Sequence, residues 1–171
     1  IMHDITLTAD PVAGGTMSGG GSVQETREAT VVANANAGYT FVNWTEGDVE
    51  VSWNASYTFT VTGDRTLTAN FEPIMHDITL TADPVAGGTM SGGGSIQETH
   101  DTTVTANANA GYTFVNWTEE GVEVSTDASY TFTVTGTRTL TANFEAVAST
   151  PSSSPPSQPS VSVCDNLCYF K

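Results

Sequence analysis

The chain is a duplication, and this limits what it can fold into. Residues 1–73 align without a gap to residues 74–146, and the two copies differ at 11 positions. A repeat of this length can hold a hydrophobic core of its own, whereas the shorter repeats of a solenoid must share a core with their neighbours. The sequence therefore predicts two small tandem domains, over residues 1–73 and 74–146.

One stretch stands out in each copy. The sequence AGYTFVNWTE runs from Ala37 to Glu46 and returns unchanged at 110–119. A glycine favours a turn before an aromatic-rich strand, in which simple alternation places Tyr39 and Phe41 on one face and Val42 and Trp44 on the other. A strand that is apolar on both faces belongs in the middle of a small fold. We expect it to be the central strand of each domain.

The flanking segments also have the period of β-strands. Apolar residues alternate mainly with threonine over Asp4–Asp10, Tyr57–Thr62 and Thr66–Phe71, with a tight turn through Gly63 between the last two segments. Threonine favours strands over helices. The glycine-rich segment Ala13–Ser22 lacks the lysine and following helix of a phosphate loop, so a flexible hairpin is expected there. A short helix near Gln24–Ala29 is the one helical alternative. The expected class is all-β.

The charge of the chain excludes some partners. Its formal net charge is −15, because only four residues are lysine or arginine. Such a surface repels phosphate backbones and anionic lipid headgroups. The sequence also has no apolar run long enough to span a bilayer. Neither a nucleic-acid partner nor direct membrane insertion is expected.

Two motifs resemble the internalin-type B-repeat family. They are GYTFVNW at Gly38–Trp44 and YTFTVTGDRTLTANFE at Tyr57–Glu72, and both copies carry them. The resemblance covers about residues 1–146. It implies a small β-rich domain, often β-grasp-like, which occurs in tandem on microbial surface and secreted proteins as a stalk, spacer or adhesion module without catalysis. The matching aromatic residues are expected in the core: Tyr39, Phe41, Trp44, Phe71, Tyr112, Phe114, Trp117 and Phe144.

No motif for catalysis or metal binding is present. The sequence has no nucleophile elbow and no His-Glu-x-x-His pattern. His3 and His76 each precede an aspartate, which is too few ligands for a metal site. The acids Glu46, Asp48 and Glu50 lack the spacing of a calcium loop. We expect no enzyme activity, catalytic residue, metal or cofactor.

Some residues are candidates for surface roles. N-glycosylation sequons begin at Asn43, Asn54 and Asn116. Asn43 and Asn116 are predicted on the same face as the first two aromatic residues of their strands. They can therefore accept a glycan only if that face is exposed to solvent at its end. Trp53 is replaced by Thr126 in the second copy, which predicts an exposed contact between domains or chains, or else a partly covered edge residue.

The C-terminal region has a different composition. A Pro/Ser-rich linker over residues 147–160 precedes an apolar, strand-prone tail over residues 161–171. Cys164 and Cys168 are expected to form a local disulfide, with pairing to another chain as the alternative. The residues expected to make assembly contacts in the tail are Val161, Val163, Leu167, Tyr169 and Phe170.

Together these features predict an extracellular or cell-surface protein with a structural or adhesive role. The tail would add a strand to an open sheet edge of a neighbouring molecule and so build a filament. The expected partners are further copies of the chain or other surface proteins. The alternative is a carbohydrate-binding accessory module of a secreted enzyme or adhesin, with Trp53 in contact with the glycan.

Overall fold

A computed structural model of the chain describes residues 1–148. The strands of the first domain are β1 (Met2–Asp10), β2 (Gly15–Ser18), β3 (Gly21–Gln24), β4 (Glu28–Ala35), β5 (Tyr39–Glu46), β6 (Val49–Ser52), β7 (Ser56–Thr60) and β8 (Arg65–Pro73). Those of the second are β9 (Met75–Asp83), β10 (Gly88–Ser91), β11 (Gly94–Gln97), β12 (Asp101–Ala108), β13 (Tyr112–Glu119), β14 (Val122–Ser125), β15 (Ser129–Thr133) and β16 (Arg138–Ala146). Within residues 1–148, the helical segments are two short 3-10 turns, at Val12–Gly14 and Val85–Gly87. The prediction of two tandem all-β domains is confirmed.

Each domain is built from two sheets. In the first domain a five-stranded sheet has the order β3-β1-β8-β5-β6, and a three-stranded sheet has the order β2-β4-β7. The second domain repeats this with β11-β9-β16-β13-β14 and β10-β12-β15. The first and last strands of each domain pair in parallel, whereas the other pairs are antiparallel.

The core lies between the two sheets. Leu67 and Ala69 of β8 and Val31 of β4 are fully buried. The strand in the middle of the large sheet is β8, and β5 lies second from the edge, so the expected central position of β5 is wrong. The reason is the parallel pairing of β1 with β8, since a contact between opposite ends of a domain leaves no mark on local periodicity.

A β-bulge in β5 changes which side chains face the core. Phe41 pairs with Phe71 and Asn43 with Asn70, so two steps along β5 match one step along β8. Val42 is the extra residue, and Trp44 therefore faces the same side as Phe41. The prediction that Trp44 shares a face with Val42 is wrong, because simple alternation does not include the extra residue.

The glycine-rich segment also differs from its prediction. It is not a hairpin, since β2 belongs to the small sheet and β3 to the large one. The crossing depends on Gly19, whose φ is 91° and where a Cβ would lie 2.0 Å from the Thr30 carbonyl oxygen. The helical alternative over Gln24–Ala29 is wrong, because a turn with Thr26 at a φ of 68° joins β3 to β4.

Candidate interaction surfaces

The described part of the chain offers no enclosed site for a small ligand. Over residues 1–148 there is no pocket, and no group of three or more His, Cys, Asp or Glu side chains is placed to hold a metal ion. In the same range, no helix has the length and apolar character needed to cross a membrane. The candidate sites are therefore surfaces, edges and single side chains.

An arginine–glutamate pair lies at one end of each domain core. Arg65 donates through Nε and Nη2 to the carboxylate of Glu46, with Nη2 2.8 Å from Oε2. Its guanidinium lies 4.3 Å from the ring centre of Phe59. Arg138 and Glu119 repeat the pair with a shortest distance of 2.7 Å. The hydrogen bond from Arg138 holds the pKa of Glu119 below its usual value, and the bond to Glu46 raises the pKa of Arg65.

Sequence reasoning gave these arginines no role, although a signal was present. The two copies keep arginine at positions 65 and 138, whereas Arg27 becomes His100. In a chain with so few cations, a cation that recurs at the same position in both copies indicates a structural partner. The pair links the last residue of β5 to the first residue of β8.

The two candidate histidines have different partners. His3 Nδ1 lies 3.3 Å from Asp64 Oδ1, and the same carboxylate oxygen accepts the backbone N–H of Asp4 at 2.9 Å. That backbone hydrogen bond, with a smaller contribution from His3, lowers the pKa of Asp64. His76 Nε2 lies 3.5 Å from Glu98 Oε2. Each histidine thus has one carboxylate beside it, and within residues 1–148 the buried Nε2 atom of neither ring makes a hydrogen bond.

The three sequons differ in accessibility. Asn43 accepts a hydrogen bond from Asn70 Nδ2 at 2.8 Å and donates to Glu50 Oε2 at 3.2 Å. Because of the bulge, Asn43 faces away from the core, so its predicted place beside Phe41 is wrong. Asn116 makes the equivalent contacts in the second domain. Asn54 is exposed in the turn between β6 and β7.

The eight aromatic residues of the repeat motif all pack in or against the two cores. Trp44 and Trp117 are fully buried, and the Trp44 indole donates to the Ala55 carbonyl oxygen at 3.1 Å. Phe71 and Phe144 are also buried, and the rest are partly buried against the cores: Tyr39, Phe41, Tyr112 and Phe114. These eight side chains support the fold and do not form an exposed aromatic platform.

Trp53 lies at the surface and is 66% exposed. It is the only aromatic residue among the exposed large hydrophobic residues of the described range. A single ring offers one stacking contact, whereas a sugar-binding platform is expected to combine several contacts. Trp53 is thus a candidate for one contact with a partner.

Each domain presents four sheet edges. In the first domain they are β3 and β6 of the large sheet and β2 and β7 of the small sheet. The register along β6 is broken by a bulge, and β2 and β3 are short strands that begin with glycine. By contrast β7 pairs regularly with β4 over five residues and contains no charge, proline or glycine. It therefore lacks the features that usually protect an edge strand from further pairing.

The residues predicted to occupy such an edge, Val161–Phe170, lie outside the described residues, as do Cys164 and Cys168.

The repeat itself matches a known family. The profile of a family described as "Divergent InlB B-repeat domain" matches residues 5–75 and 78–148, one match for each copy. No curated protein sequence matches the chain.

Proposed function

The chain belongs to the divergent InlB B-repeat family, and on this premise we propose that it is a non-enzymatic structural protein of a bacterial surface. The family is associated with bacterial surface proteins. The absence of a pocket in residues 1–148 agrees with a structural role. The two domains form a stalk, and the C-terminal tail joins one copy of the chain to the next.

The observation that carries this proposal is the open edge of β7. The strand pairs with β4 on one side only, and its twin β15 is open in the same way. Tyr57 and Phe59 of β7 are partly buried, and their tilted rings lie in contact with the centroids 5.1 Å apart, whereas the threonines of β7 are exposed. An added strand would extend the small sheet through backbone hydrogen bonds, as in other cases of strand addition.

The tail suits this edge by composition. Val161 and Val163 alternate with Ser162, and Leu167, Tyr169 and Phe170 add apolar area. Strand addition to a neighbouring copy is a head-to-tail contact, which produces a filament unless the rotation between copies closes a ring. The Pro/Ser-rich linker gives the tail the reach to meet a neighbour.

Negative-stain electron microscopy of the purified chain tests the proposal. We expect filaments from the full chain, and single short particles after deletion of residues 149–171. That deletion keeps Val147, whose N–H bonds to the Gly111 carbonyl oxygen at 2.8 Å, so the last strand stays intact. Replacing Cys164 and Cys168 by serine separates strand addition from disulfide cross-linking. Single particles from the unmodified chain at high concentration would contradict the proposal.

A pair of substitutions tests the acceptor edge. Thr58→Lys with Thr131→Lys places a charge on β7 and β15, and we expect filaments to disappear. Thr6→Lys with Thr79→Lys adds the same charge to exposed threonines of β1 and β9, strands that are paired on both sides. This control should still form filaments. If both pairs behave alike, β7 is not the acceptor.

Carbohydrate binding is the alternative function, and Trp53 is the one observation that favours it. A glycan array probed with the full chain and with Trp53→Thr tests it. Binding that depends on Trp53 would support it, and a blank array would exclude it for the glycans displayed.

A further inference from the structure

Two turns meet where the domains join. Gly38 lies in the turn after β4 of the first domain, and Gln97 ends β11 of the second domain, followed by the turn residues Glu98 and Thr99. Gln97 Nε2 donates to the Gly38 carbonyl oxygen at 3.2 Å. A Cβ at Gly38, whose φ is 79°, would lie only 2.7 Å from the carbonyl oxygen of Glu98. Gly38 therefore permits both the backbone conformation and the approach of the second domain.

A single residue connects the two domains, and each domain holds one end of it. The Ile74 N–H donates to the Gly38 carbonyl oxygen at 2.8 Å, and the Ile74 carbonyl oxygen accepts the N–H of Glu98 at 2.8 Å. The last strand of the first domain ends at Pro73 and the first strand of the second begins at Met75. Both backbone polar groups of Ile74 are therefore hydrogen-bonded, one to each domain, which restricts rotation at this residue. We call Gly38, Ile74 and Gln97–Thr99 the inter-repeat joint.

Both turns of the joint recur at the other ends of the two domains, where no second domain within residues 1–148 covers them. Gly111 is the twin of Gly38. It is exposed, and apart from its chain neighbours no atom of residues 1–148 lies within 4 Å of a Cβ placed there. Gln24 is the twin of Gln97 and is also exposed, whereas Gln97 is half-buried. The sequences around these positions are the same in both copies, AGY for the glycine turn and QET for the glutamine turn.

From these contacts we propose that the inter-repeat joint fixes the orientation of neighbouring repeats. The exposed Gly111 turn and the exposed Gln24–Thr26 turn then each fit the same partner, which is another copy of the repeat. The Val147 N–H already bonds to the Gly111 carbonyl oxygen as Ile74 does to Gly38. A third repeat placed after residue 146 meets the same surface that the second repeat meets after residue 73. The proposal is independent of the tail, since every residue in it lies in the described domains.

Distance measurements between spin labels test the fixed orientation. The labels are placed at the exposed twin positions Val49 and Val122 of the full chain, with Cys164 and Cys168 replaced by serine. We expect one narrow distance distribution. Gly38→Ala and Gln97→Ala should broaden it at least twofold, because each removes part of the joint. A broad distribution before any substitution would overturn the proposal.

The duplication supplies matched controls for these variants. Gly111→Ala and Gln24→Ala make the same chemical changes at the free twins of the two turns, and both should leave the distribution narrow. Gln97→Ala keeps every backbone conformation, so it remains informative if Gly38→Ala unfolds the first domain. Equal broadening by Gln97→Ala and Gln24→Ala would mean that the joint does not set the orientation.

A lengthened chain tests the identity of the partner. A copy of residues 74–146 is inserted after Ala146, and the labels are moved to Val122 and the equivalent valine of the inserted copy. We expect the same narrow distribution as between the first two repeats. Gly111→Ala, silent in the natural chain, should now broaden it. If the inserted copy moves independently, the Gly111 turn does not bind a further repeat.

Discussion

Arg65 donates hydrogen bonds to both carboxylate oxygens of Glu46, and the shortest, from Nη2, is 2.8 Å. The same guanidinium lies over the Phe59 ring. A planar fork of donors can do both at once, whereas the point charge of a lysine cannot. The side chain therefore ties the end of β5 to the start of β8 and covers an aromatic residue of the core.

Replacing Arg65 by lysine should destabilise the first domain by about 1 kcal/mol, through loss of the two-pronged hydrogen bond and of the stacking. Urea denaturation followed by circular dichroism measures this change. Arg27→Lys is the matched control, because Arg27 is exposed, and it should change stability by less than about 0.5 kcal/mol. Equal effects of the two substitutions would contradict the structural role.

The second domain should lose stability in acid through Glu119. The hydrogen bond from Arg138 lowers the pKa of Glu119 in the folded state below the 4.5 of a free glutamate. A carboxyl group whose pKa is lower in the folded state than in the unfolded state stabilises the fold at pH values above its unfolded-state pKa. This stabilisation is lost as the pH falls through the folded-state pKa. Denaturation from pH 6 to pH 2.5 should therefore show a fall that begins near pH 4.5. Glu119→Gln should flatten that fall, and Glu145→Gln, at an exposed residue, should leave it unchanged.

Local pattern predicted much of this fold, and its failures share a cause. Alternation with threonine located the strands around Ile5 and Leu67, and both side chains are buried. It could not show that β1 pairs with β8, because parallel pairing joins segments about 60 residues apart. The local pattern also could not show the bulge at Val42, because no residue near Val42 marks a bulge in the sequence.

Deleting Val42 tests the interpretation of the bulge. Without it, Tyr39, Phe41 and Trp44 fall on one face by simple alternation, in register with β8. We expect the variant to fold, at a cost of about 1–2 kcal/mol for the changed twist. Deletion of Thr68 is the contrasting control, since it moves Leu67 and Ala69 to opposite faces of β8 and should unfold the domain. Heteronuclear NMR spectra of the two variants distinguish these outcomes, and an unfolded Val42 deletion would refute the interpretation.

The two tryptophans of the first domain should respond in opposite ways to substitution. Trp44→Phe leaves a cavity and removes the hydrogen bond to the Ala55 carbonyl oxygen, which we expect to cost about 2–4 kcal/mol. Trp53→Thr introduces the residue that the second copy already has, at a position that is 66% exposed, and should change stability by less than about 0.5 kcal/mol. Thermal unfolding of both variants measures the difference. A large loss from Trp53→Thr would show that its ring packs on a partner surface.

Glycosylation of the folded protein should occur at Asn54 alone among the three sequons. Asn43 is held by Asn70 and Glu50, and Asn116 by the equivalent residues, so the side-chain amide of neither is free to enter a transferase. Asn54 lies in an exposed turn, and the second copy has Asp127 there. Treatment of the folded chain with an oligosaccharyltransferase, followed by mass spectrometry, should give one modified site. Asn54→Asp should abolish modification, whereas sugar on Asn43 would mean that the outer face of β5 opens in the folded state.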